Sequence, residues 1–127
     1  MTEWIPCGDD FIEADVIRWQ EAVWERRGPK GARPIKIGER IVTAEVQHED
    51  REGGWVFLLV RGCEVISQKP KRIVELLKPG ESIRRKRSTL ARNRPQRLRW
   101  SDESARAVLI AEKGGSDRRP SPPEDRL

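Results

Sequence analysis

Tyrosine is absent from this chain of 127 residues, and histidine and methionine occur once each. The lone histidine, His48, sits in the polar stretch His48-Glu49-Asp50-Arg51, where a solvated side chain is expected rather than a general base. Two cysteines, Cys7 and Cys63, are too few for a disulfide framework. With His48 they also lack the spacing of a zinc site. No apolar run approaches the ~20 residues that cross a bilayer. The opening Met-Thr-Glu-Trp carries an acid where a secretory leader carries bases. These absences lead to the expectation of a cytoplasmic protein with free thiols and no membrane association. The Walker loop, the dinucleotide fingerprint and the nucleophile elbow are also missing, so neither a cofactor nor catalysis is expected.

Charged residues make up 37% of the chain and hydrophobic residues only 35%. This length supports one unstapled core, but with so little apolar content some of the chain must lie outside it. The expected division is a single β-rich domain over residues 1–113 and a disordered tail over 114–127. The net charge of +5 is unevenly spread. Residues 1–27 hold seven acids and three bases, whereas residues 69–99 hold two acids and twelve bases. Such asymmetry favours a basic binding face over uniform stickiness.

Hydrophobic patterning points to a mainly β fold, a small antiparallel sheet or SH3-like barrel with a C-terminal α-helix. The firmest signal is a hairpin. Residues 40–47 crowd the β-branched Ile41, Val42 and Thr43, which disfavour a helix. Residues 48–54 read as a polar turn, and residues 55–61, the most apolar run, as a buried central strand. Gly62 permits a bend before a continuation over 63–67.

Residues 9–27 fit two patterns. Asp10 and Glu13 at capping-box spacing, with Ile12, Val16, Trp19 and Val23 on one seam, suit a helix over about 11–27 and hence an α+β fold. Against this, residues 8–16 match residues 38–46: both run Gly, acid, any, apolar, apolar, any, Ala, acid, Val. If the segments are alike, the first is also extended, giving strands at 11–19 and 22–25. These openings, followed by the hairpin, resemble strand starts in SH3-like barrels of the Tudor or KOW kind over residues 8–67.

Further along, residues 28–34 form a Gly- and Pro-punctuated loop among bases. Residues 71–77 read as one helical turn or a tight connector ended by Lys78-Pro79-Gly80. Ser101 as N-cap, with Asp102 and Glu103 in the first turn, predicts a helix over 102–113 stopped by Gly114-Gly115.

The most distinctive stretch is 83–100, which carries seven arginines, one lysine and no acid. As a strand it would place cations on both faces; as a helix they would surround the axis, and Pro95 would break it. The stretch is therefore expected at a sheet edge or as a protruding arm. Within residues 96–100, Leu98 and Trp100 would anchor it while Arg97 and Arg99 face outward. Eight cations exceed what protection of an edge strand requires.

The candidate phosphate contacts are Arg84, Arg85, Lys86, Arg87, Arg92, Arg94, Arg97 and Arg99, with Lys71 and Arg72 adding to the field. The expected function is non-enzymatic binding of DNA or RNA through the backbone, without base readout. If about six cations meet duplex phosphates, log affinity falls with log salt at a slope near −5. The alternative is an adaptor, inhibitor or accessory subunit, of the sort phages and mobile elements encode, docking on an acidic protein surface.

Two further features bear on this choice. Asp9, Asp10, Glu13 and Asp15 form an acidic cluster that suits either Mg²⁺ in a nuclease or, more commonly, internal partners for arginines. Among the five tryptophans, Trp19, Trp24, Trp55 and Trp100 are expected in the core and Trp4 at the surface. An exposed tryptophan beside arginine would suggest stacking on unpaired bases.

Overall fold

The computed structural model describes residues 3–26 and 28–117. Among them, six strands build one antiparallel sheet: β1 (Trp4–Pro6), β2 (Val16–Glu25), β3 (Ile35–Asp50), β4 (Trp55–Gln68), β5 (Ser82–Lys86) and β6 (Gln96–Leu98). Their order across the sheet is β1-β6-β2-β3-β4-β5. Helix α1 (Arg87–Arg92) joins β5 to β6, and α2 (Glu103–Asp117) follows β6. The fold is mainly β, as the patterning predicts, with a curled sheet that does not close into a barrel.

Alternation of side chains along the strands builds the core. Val42, Ala44 and Val46 of β3, Val56, Leu58 and Val60 of β4, and Ile17 and Trp19 of β2 share the concave face, none more than 3% exposed. Each buried aliphatic side chain contributes about 1.5–3 kcal/mol. Phe11 and Leu90 complete this cluster from the loop before β2 and from α1. Register shifts between Glu39 and Arg40, Thr43 and Ala44, and Val46 and His48 bend the long β3–β4 ribbon around that core. Gly38 has no room for a side chain, because a Cβ there would overlap the Ser67 carbonyl and the Val74 side chain.

The N-terminal region differs from both sequence expectations. Among the described residues of 11–27 no helix forms, and β2 is one unbroken strand in place of two. Residues 11–15 form a turn instead of a strand start, so the two similar segments have different structures. The cause is Asp15. Its buried carboxylate reaches back to accept the Ile12 N–H at 2.8 Å, and Ala14 takes a left-handed φ of 80°.

The connector 69–81 holds turns and no helix. Helix α2 starts at Glu103, capped by Asp102, whose carboxylate accepts the Ser104 N–H at 3.0 Å; Ser101 does not provide the cap. The helix runs through Gly114 and Gly115 to Asp117. Interior glycines weaken a helix by only about 1 kcal/mol each, which does not forbid it. The remainder of the expected tail, 118–127, lies outside the described residues. Among the described residues, no helix is long and apolar enough to cross a membrane.

Candidate nucleic-acid interface

The basic stretch is built into the sheet and does not protrude as an arm. Its first part is the edge strand β5, its middle is α1, and its last part is β6, which lies between β1 and β2. Alternation along β5 divides its cations between two environments. Ile83 and Arg85 turn toward the core side, while Arg84 and Lys86 are exposed on the other face.

Arg85 is committed internally. Its Nε and Nη2 each lie 3.1 Å from the Glu21 carboxylate of β2. Glu21 also accepts from Arg40 Nε at 2.9 Å and Nη2 at 2.7 Å, and from the Trp19 indole at 3.0 Å. Burial alone would push the Glu21 carboxyl up, but the hydrogen bonds from Arg85, Trp19 and Arg40 outweigh it and hold the group below its usual range.

Arg87 is held as firmly. It meets Asp9 at 2.6 Å, Glu49 at 2.8 Å and the carbonyls of Asp9 and Phe11, with its guanidinium 4.0 Å above the Phe11 ring. Arg97 does not face outward as expected from alternation with Leu98. It is 7% exposed and forms a fork with both oxygens of Glu103, at 3.0 and 2.7 Å. That bidentate pair, with the Trp100 N–H at 2.9 Å, lowers the Glu103 carboxyl to about 2. Arg99 makes an exposed pair with Glu3 at 3.0 Å.

Arg84, Lys86, Arg92, Arg94 and Lys71 have no carboxylate partner among the described residues. Arg84 and Lys86 share the Trp55 ring, at 4.2 and 4.6 Å from its centre. Arg92 reaches only the Thr89 hydroxyl, at 3.5 Å. Arg94, at a left-handed φ of 52° between α1 and β6, is exposed. Arg92, Asn93 and Arg94 line a shallow cavity of about 250 Å³ with Gln20, Glu21, Ala22 and Glu39. Lys71 is exposed at a φ of 61°, and Arg72 lies 3.7 Å from Glu25.

The acidic cluster is likewise occupied by arginines. Asp9 binds Arg87, while Asp10 and Asp15 bind Arg106, the 4%-exposed anchor of α2. Trp100 adds its indole N–H to Asp15 at 2.7 Å. These pairs engage Asp9, Asp10 and Asp15 of the four-carboxylate cluster. No group of three or more metal-ligating side chains occurs among the described residues. Nearby Cys7 is half-buried, and that burial, reinforced by Asp15 and Asp10, pushes its thiol up to about 11.

Tryptophan placement also departs from expectation. Trp19 is buried, but Trp24 is 58% exposed, while Trp4 is half-buried under Arg18, whose guanidinium lies 4.3 Å from its ring. Outside the 83–100 stretch, Lys30, Arg33, Lys36 and Lys69 are also exposed, and Lys69 is held beside β3 by its N–H to the Ile37 carbonyl. Their only sequence signal is the basic loop after β2. Comparison with protein-family models, curated proteins and solved structures finds no match to this chain.

Proposed function

We propose that this protein is a non-enzymatic nucleic-acid-binding module that meets the phosphate backbone through Arg84, Lys86, Arg92 and Arg94. One observation carries the proposal. Within a single basic stretch, Arg85, Arg87 and Arg97 are neutralised by folded carboxylates, whereas these four cations are exposed and lack one. Exposed cations without a carboxylate partner attract polyanions, and guanidinium forks suit phosphate oxygens. Trp55 beneath Arg84 and Lys86 restrains both side chains, so less freedom is lost on binding.

Fluorescence anisotropy with a labelled 20-base-pair duplex tests this. The Arg84→Gln/Lys86→Gln/Arg92→Gln/Arg94→Gln variant is expected to lose at least about tenfold in affinity while keeping a native circular-dichroism spectrum. Equal affinity for variant and parent would overturn the proposal.

A second reading has one observation in its favour. Among the described residues β5 pairs only with β4, so its outer edge could accept a strand added by a protein partner. A stoichiometric protein that co-purifies and survives nuclease treatment would favour this reading over the first.

A further inference from the structure

A second group of cations lies at the end of β3 farthest from Trp55. Residues 26–36 carry five bases and no acid, and residues 69–72 three bases and no acid. The fold clamps the two segments together. Gln68 pairs with Gly38, the Lys69 N–H donates to the Ile37 carbonyl at 2.8 Å, and buried Val74 packs over Gly38. At this end Glu25 lies near Arg72, Glu39 pairs with Lys36, and Glu75 follows Val74, its carbonyl accepting from Arg40.

Trp24 stands beside this group. Its partner across the β2–β3 ladder is Lys36, so indole and ammonium share a face. Gln20, Ala22 and Trp24 are all exposed and follow one another at two-residue spacing along β2. That row begins at the cavity lined by Arg92 and Arg94 and ends at Trp24 and Lys36. An indole left 58% in water forfeits most of its burial free energy; Lys36 lies beside it, Glu39 opposes Ala22, and Arg92 and Arg94 stand at the other end of the row. Bases stack on aromatic rings irrespective of sequence, but only when unpaired, because a duplex hides its base faces.

We infer that this row is a track for single-stranded nucleic acid: Trp24 stacks on an unpaired base, and Arg92, Arg94, Lys69 and Lys71 meet the flanking phosphates. The inference rests on the nucleic-acid reading above and adds the substrate class. It requires that single strands bind more tightly than duplexes.

The test titrates the full chain with a 15-nucleotide oligo-dT and with a duplex of equal length, following tryptophan fluorescence and anisotropy. Oligo-dT is expected to bind about tenfold tighter than duplex and to quench fluorescence; Trp24→Ala reduces that ratio about tenfold, and Trp24→Phe retains most of it. If Trp24→Ala keeps the parental ratio while the four-cation variant loses affinity, the track is wrong and the nucleic-acid reading stands. If neither oligonucleotide binds, both fail. Quenching by polyglutamate but not by oligo-dT, abolished in Trp24→Ala, would assign the surface to an acidic protein and overturn the track.

Discussion

Arg85 on the edge strand β5 donates two hydrogen bonds, each 3.1 Å long, to Glu21 on β2, although β3 and β4 separate those strands in the sheet. The contact spans the mouth of the curled sheet from side to side. It does with side chains what backbone pairing would do in a closed barrel.

Removing Glu21 should therefore unfasten the sheet. Glu21→Ala strands two arginines and an indole N–H that are now satisfied by one carboxylate. The expected loss is about 2–4 kcal/mol in a denaturant melt at pH 7. Glu39→Ala, which breaks only the exposed pair with Lys36, should cost less than about 1 kcal/mol.

Helix α2 is held by the buried Arg106–Asp15 pair and, at its start, by Arg97 on Glu103. Arg106→Leu leaves the Asp15 carboxylate, 0% exposed, with only the Trp100 and Ile12 donors. A loss of about 3–5 kcal/mol is expected, and limited proteolysis should cut α2 before the sheet. Arg106→Lys should not restore stability, since one ammonium cannot reproduce the fork on both oxygens of Asp15.

Much of the fold was legible in the sequence, and the reasons differ by element. The hairpin was readable because Ile41-Val42-Thr43 and Trp55 to Val60 state their conformation locally. The inward turn of Arg97 was not, because strand alternation cannot show that Glu103, six residues on, offers a two-oxygen partner. The division of the basic stretch depends on residues far along the chain, with Asp9 78 positions from Arg87 and Glu21 64 from Arg85. One signal did exist: the acid-rich first 27 residues match the base-rich 69–99 stretch in opposite sign, as internal pairing requires. The exposure of Trp24 was not legible because it depends on β2 running unbroken past Trp19: five residues apart on one strand, the two indoles take opposite faces.

Acid should weaken the fold in a defined window. Glu103 has its folded value lowered from 4.5 to about 2, and Glu21 is lowered too. A carboxyl depressed by folding contributes stability that is fully present above its unfolded value and lost as pH falls through its folded one. Urea midpoints should thus be flat above pH 5 and decline from about 4.5 toward 2. Glu103→Gln should flatten part of that decline and lower stability at neutral pH.

Cys7 should be a poor nucleophile. With its thiol at about 11, roughly one molecule in a thousand carries the thiolate at pH 8. Iodoacetamide labelling followed by mass spectrometry should find Cys7 modified far more slowly in the native chain than in urea. Equal rates would contradict the packing described for it.

The division of one basic stretch into paired and outward cations is tested most directly by the salt dependence of duplex binding. Each phosphate contact contributes about −0.9 to the slope of log affinity against log salt. The slope should become shallower by about 3.6 when Arg84, Lys86, Arg92 and Arg94 are all replaced by Gln, and by about 0.9 for each alone. A parental slope near zero, or an unchanged slope in the fourfold variant, would contradict the account.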